Sequence, residues 1–213
     1  MPPITIEDVQ KAIALSDFDG RSAQFKMAPI LRQNLRRPEQ AGQPRVGSVL
    51  IMLYCLAGEL HLILTRRRDD LNSHAGQVSF PGGKRDNDEP LSTTALRETY
   101  EEVGIAPRLL TILGQLTTIY ILPSDFEVHP FVAQYSLEER PIFHPAPHEV
   151  AEIIEVPLRH LLDPATRQEE MWHLRGHELP VPFFAIDEHK VWGATAMMLS
   201  EFVERLREVI GDR

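Results

Sequence analysis

The chain carries a single cysteine, Cys55, among 213 residues. No disulfide framework can therefore staple the fold, and stability has to come from a core. Cys55 lies in an apolar run, Val49–Leu56, which predicts a buried small hydrophobe rather than a nucleophile. The histidines show no Cys/His spacing of a zinc site. No apolar run approaches the ~18 residues of a membrane-spanning helix. Basic residues are also short: 22 Lys and Arg against 31 Asp and Glu leave a formal net charge of −9. Such a balance excludes capture of nucleic acid by bulk electrostatics, so an anionic ligand has to be drawn in locally. The segment Met1–Asp8 lacks a secretion-signal pattern, and Ile210–Arg213 carries no receptor-read address. Together these absences predict a cytoplasmic protein with neither nucleic-acid nor membrane partners. There is no internal repeat and no low-complexity tract.

What is present is globular. Hydrophobic residues make up 43% and charged residues 25% of the chain, both ordinary for a soluble domain. The pattern divides into an N-terminal helical extension over residues 1–45 and a main domain over 46–213. Thr5 predicts an N-cap, with Asp8 in a capping box and Ile4 and Val9 in a hydrophobic staple, starting a helix over Ile6–Leu15. Asp17–Leu35 is ambiguous, since Gly20 and Pro29 interrupt it, and Arg36–Arg45 reads as a polar linker. Val46–Leu56 and Leu60–Thr65 predict a hairpin. Further strands are expected over Gln77–Phe80, Leu109–Tyr120, Glu127–Tyr135 and Ile153–Pro157, with a turn at Pro81–Gly83, a loop at Ile121–Phe126 and a proline-rich loop over Ser136–His148. Leu158–Leu162 reads as a turn of helix, and Glu169–Leu174 with Val181–Ile186 as a hairpin. Long helices are expected over Leu91–Val103, stopped by Gly104 with Pro107 beyond, and over Ala194–Ile210, whose apolar stripe includes Leu199, Phe202, Val203 and Leu206. Hairpins mixed with long helices predict an α+β fold with a mixed sheet between helices.

One stretch carries chemistry. On the helix after Pro81-Gly82-Gly83, Glu98 and Glu102 are four residues apart and Glu101 is three from Glu98, so three carboxylates share a face. Clustered like charges destabilise a helix unless a cation joins them, and oxygen ligands suit a hard divalent ion, Mg²⁺ or Mn²⁺. The spacing resembles the Nudix box, G-x5-E-x7-R-E-U-x-E-E-x-G-U with U aliphatic. Gly83, Glu89, Arg97, Glu98, Glu101, Glu102 and Gly104 occupy its seven strict positions, and Ile105 the last aliphatic one. Thr99 departs from the first aliphatic position. Seven strict matches arise by chance at on the order of 10⁻⁸ per start point, which sets aside the alternative of an ordinary charged helix.

A second resemblance lies just upstream. Leu64-Thr-Arg-Arg67-Arg-Asp-Asp-Leu-Asn-Ser-His74-Ala-Gly76-Gln-Val-Ser-Phe80-Pro-Gly-Gly83 is similar to the signature of the coenzyme A pyrophosphatase branch, L-L-T-x-R-[SA]-x3-R-x3-G-x3-F-P-G-G. Ile63, Arg68 and Asn72 depart from it. Pro123–Phe131, Glu149–Pro157 and Val191–Thr195 are also similar to that branch. The resemblance implies an α/β/α sandwich and a hydrolase that cuts the diphosphate of coenzyme A to 3′,5′-ADP and 4′-phosphopantetheine. It implies Glu98, Glu101, Glu102 and the Gly83 carbonyl as ligands of Mg²⁺ or Mn²⁺, with Glu89 outside the helix as a supporting group. Arg97 would orient the carboxylates. The base is a box glutamate, Glu98 or Glu101, or the distal Glu149. Arg66 and Arg67 would meet phosphates, and His74 and Phe80 would line the substrate. Each has a plain structural alternative: loop ordering for His74, core packing for Phe80 and Trp192, a surface carboxylate for Glu149. The implied partner is a small nucleoside diphosphate derivative, coenzyme A favoured, and a homodimer is an assembly the sequence allows. The competing readings are a pyrophosphatase for ADP-ribose, a dinucleotide or a damaged nucleotide, and a binding module that has lost hydrolysis.

Overall fold

The computed structural model describes residues 3–29, 42–71, 75–174 and 176–211. Its centre is β1 (Arg45–Leu56). Alternate side chains of a strand face opposite ways: Leu50, Met52 and Tyr54 enter one core, and Ile51 and Leu53 enter another. A strand apolar on both faces has to be covered on both. α3 (Leu91–Val103) covers the first face with Ala95 and Val103. α5 (Gly193–Ile210) covers the second with Ala196, Leu199, Phe202 and Leu206.

β1 pairs antiparallel with β2 (Glu59–Arg67) and with the short β4 (Gly82–Lys84), and parallel with β7 (Phe126–Tyr135). β3 (Val78–Ser79) and β8 (Val150–Pro157) both pair with β2, while β5 (Leu110–Gln115) and β6 (Ile119–Ile121) pair with β7. The short helix α4 (Leu158–Leu162) follows β8. A second, antiparallel sheet has the order β11 (His189–Trp192), β10 (His177–Ile186), β9 (Arg167–Leu174). This is the mixed sheet between helices that the sequence predicts.

The differences have physical causes. The strand expected over Leu109–Tyr120 breaks into β5 and β6, because Glu201 takes the N–H and hydroxyl of Thr117 out of the ladder. The turn expected at Pro81–Gly83 is largely β4, in register with Gly47–Val49. β11 was not foreseen. Cys55 is exposed rather than buried, since β1 runs past its cover toward the hairpin tip.

The N-terminal segment contributes α1 (Ile6–Ile13), with the Thr5–Asp8 capping box in place, and α2 (Gly20–Phe25), capped by Asp19. Gly20 opens a helix here instead of interrupting one. Both helices dock on α5 through a buried polar knot. Glu201, wholly buried, accepts from Gln24 Nε2 at 2.8 Å, Thr117 Oγ1 at 2.8 Å and Arg205 Nε at 2.9 Å. Arg205 also donates to the carbonyls of Ala12 and Leu15. Such a knot is stable only when every group is paired. Glu201→Ala leaves the Arg205 guanidinium buried without its carboxylate and is expected to cost about 3–5 kcal/mol. Urea unfolding checks this; a loss under about 1 kcal/mol would show that the knot ties nothing down.

Candidate active site

α3 ends at Gly104 in the left-handed conformation (φ 78°), which favours glycine. The last carbonyls of a helix need partners from elsewhere. His144 N–H bonds the carbonyl of Val103 and Ala146 N–H that of Glu102, both at 2.9 Å. The proline-rich loop is therefore docked on the end of the helix that carries the box carboxylates, and it leads directly into Glu149.

Along α3 the carboxylates have different surroundings. Glu102 is 4% exposed; it accepts from Gly82 N–H at 3.2 Å and from Thr65 Oγ1 at 3.3 Å. Burial pushes its carboxyl up to about 8, against the Gly82 amide, and the charges of Glu149 and Glu98 push the same way. Glu98 is also raised, by burial first and against Arg97, with Glu101 and Glu149 adding to it. Glu101 lies at the solvent edge, 55% exposed, 3.2 Å from Arg97 NH1. Arg97 NH1 also bonds Glu98, so it links the two carboxylates, of which Glu101 is the more exposed.

Arg97 is the hub. Its NH1 donates to Glu98 at 2.9 Å and its NH2 to Glu89 at 2.9 Å and to the Lys84 carbonyl at 3.2 Å. Glu89 also accepts from Thr94 Oγ1 and Asp86 N–H, so its work is to hold Arg97. Thr99 is buried and bonds the Ala95 carbonyl at 2.7 Å. Its hydroxyl is satisfied inside the helix, so a threonine is buried at the box's aliphatic position without an unpaired polar group.

The opposite wall is β2. Thr65 and Arg67 continue the face of Ile63, which packs under α3, while Arg66 continues the face of Leu62 and Leu64. β8 shifts register between Arg66 and Arg67, so that Ala151 is passed over. A bulge of this kind re-aims the side chains beside it. Here Arg67 NH1 meets Glu149 Oε1 at 2.6 Å. Arg66 instead meets Asp69 at 3.0 Å and Glu152 at 3.3 Å, so the structure brings Arg67 to the box and not Arg66. Phe80, 1% exposed, belongs to the core and not to a substrate surface. The Gly83 carbonyl lies on the β1 side, 2.2 Å from where a side chain on Gly47 would begin. Gly83 meets the site through its Cα, since a Cβ there would stand 2.5 Å from the Glu98 carboxyl. His74 and Asn72 lie outside the described residues. Thr65 is the site residue to which the sequence reading gave no role. Its parity with Arg67 on β2 was the available signal.

A family model for the NUDIX domain matches residues 44–175. The uncharacterized Nudix hydrolase NudL of Pectobacterium atrosepticum is 34% identical over 206 residues, covering 92% of this chain and 97% of its own. NudL of Yersinia enterocolitica is 36% identical over 193 residues, covering 89% and 97%. The chain belongs to the Nudix hydrolase family. The crystal structure of the Nudix hydrolase RenU from M. smegmatis superposes with a TM-score of 0.53 at 19% identity, over 78% of this chain and 86% of that one, and shares the fold.

Nudix hydrolases generally use divalent cations, and the donor set here fits one. Glu98, Glu102 and Glu149 are oxygen donors whose charges oppose one another, a conflict that a hard cation relieves. Gly83 and the Glu98 carboxyl leave no room for a side chain between them. Among the described residues, the one group of three His or carboxylate ligand atoms within 4.8 Å of one another is Glu152, Glu188 and His189. It lies off the box, and Arg66 already neutralises part of it.

The Glu89–Arg97 pair makes a pH prediction. Arg97 chiefly, with Thr94 and Asp86 N–H, holds the Glu89 carboxyl at about 2 against its ordinary 4.5. A lowered folded value gives stability that is whole above 4.5 and is lost as pH falls toward 2. The stability gap between wild type and Glu89→Gln is therefore expected to be wide at about pH 6 and to narrow by about pH 3. Urea midpoints at both pH values check it, and a constant gap would refute the pairing.

Proposed function

We propose that the chain hydrolyses the diphosphate linkage of coenzyme A or a derivative, giving 3′,5′-ADP and 4′-phosphopantetheine. The observation that carries this is the place of the segment similar to the coenzyme A branch. Its Thr65 bonds Glu102, its Arg67 meets Glu149, and its Gly82 N–H bonds Glu102. The signature that speaks to substrate thus forms the wall facing the box.

A divalent ion, when bound, would neutralise the diphosphate and acidify a water. Glu98 and Glu102 are the residues to hold it, with Glu101 at the solvent edge as a further ligand. Arg97 keeps Glu98 turned toward the site. Glu149 is the group to take the proton from the attacking water, on the carboxylate that Arg67 now engages. Arg67 cannot lose its own proton and is the donor for a phosphate oxygen.

Activity is expected to vanish with a chelator and return with Mg²⁺ or Mn²⁺. Glu102→Gln should lower kcat by on the order of a hundredfold or more. It should leave folding stability unchanged or higher, since it removes a carboxyl whose ionised form burial disfavours. Full activity in this variant would end the assignment of Glu102 as a ligand.

Another nucleoside diphosphate derivative is the second reading. Arg68 does not replace the signature's second arginine as a phosphate contact, because its guanidinium is spent on Asp70 and Pro147. Incubation with coenzyme A, dephospho-coenzyme A, ADP-ribose and a dinucleotide, with product masses read out, decides between the two. Coenzyme A is expected to be cleaved fastest. Much faster turnover of ADP-ribose would leave only the family assignment.

A further inference from the structure

We propose that Arg68 is a positioning residue that sets where Glu149 stands, an inference that rests on the reading of Glu149 as the base. Arg68 directly follows β2, at the place where the coenzyme A branch signature carries a small residue. Its Nε and NH2 grip both oxygens of Asp70, at 2.8 and 2.7 Å. Its NH1 reaches across to the carbonyl of Pro147 at 2.8 Å. Its own backbone N–H bonds the carbonyl of Glu149 at 3.1 Å. One residue thus holds the proline-rich loop on both sides of His148.

The loop is held from the other side as well. Ala146 N–H is on the carbonyl of Glu102, and the N–H groups of Glu149 and Val150 both turn back to the carbonyl of Ala146. The segment 146–150 is a closed turn gripped between the end of α3 and Arg68. A cleft of about 550 Å³ lies between Pro145, Pro147 and Val150 of the proline-rich loop and Asp69 and Asp70 of the facing loop, and the Arg68 guanidinium bridges the two walls. An exposed ion pair of this kind adds little to global stability. Its effect is geometric: it fixes the distance between a carboxylate and the face it serves, where an error of about 1 Å can cost as much as a hundredfold in rate. The bidentate grip matters, because only a guanidinium holds Asp70 with two donors while a third reaches Pro147.

The test crosses Arg68→Ser with Glu149→Gln in the metal-loaded full chain, on the diphosphate substrate that it turns over. Amide hydrogen exchange across residues 146–150 is followed in parallel. Arg68→Ser is expected to lower kcat about tenfold while KM stays within about twofold, with Arg68→Lys falling between. In the Glu149→Gln background the same change should cost less than about twofold, since groups acting as a unit are not additive. Exchange at Glu149 and Val150 should speed up. A raised KM at unchanged kcat would make Arg68 a substrate contact instead, and full additivity would show that it does not act through Glu149. Either result overturns the proposal, as does unchanged exchange. If Glu149→Gln alone leaves kcat intact, the reading of Glu149 as the base is what fails, and the exchange result still decides whether Arg68 holds the loop.

Discussion

Carboxylates gathered where water is scarce repel one another, and the arrangement around α3 answers that repulsion. Glu102 is buried under the sheet edge, Glu98 is half-buried beside it, and the field of Glu149 reaches both. Each has been given a partner that lowers the cost. Glu102 has a backbone N–H and a hydroxyl, Glu98 has Arg97, and Glu149 has Arg67. The partners come from three separate stretches of chain, β2, β4 and α3, so the cluster exists only in the folded protein.

The supports are backbone as much as side chain. The proline-rich loop closes the end of α3 with two amide hydrogen bonds, and the bulge in β8 sets Glu149 against Arg67 rather than one residue away. The second sheet and the N-terminal helices stand further back. They bury the outer face of β1 through α5, and the wholly enclosed Glu201 knots the N-terminal helices to the break between β5 and β6.

Much of this was legible beforehand. The capping box, the two long helices and the hairpin of β1 and β2 follow from local chemistry, and the box residues declare themselves by spacing. What stayed hidden depends on distant partners. Thr117 leaves its strand because of Glu201, 84 residues away, and no local preference encodes that. The different exposure of Glu101 and Glu102, neighbours in sequence, depends on what packs against α3. The division of Arg66 from Arg67 was within reach, since strand parity alone puts them on opposite faces. The Gly83 carbonyl was not, because its direction depends on the register with β1.

The close contact of β1, β4 and α3 has a mechanical consequence. A side chain at Gly47 would strike the Gly83 carbonyl, and one at Gly83 would strike Glu98. Main chain therefore rests on main chain from the middle of the sheet to the carboxylate, with no flexible side chain between to absorb a shift. The site is referenced to the core like a gauge block. Swelling or slackening β1 beneath it would be passed on to Glu98 as a change of position, so core packing and catalytic alignment are set by the same contacts.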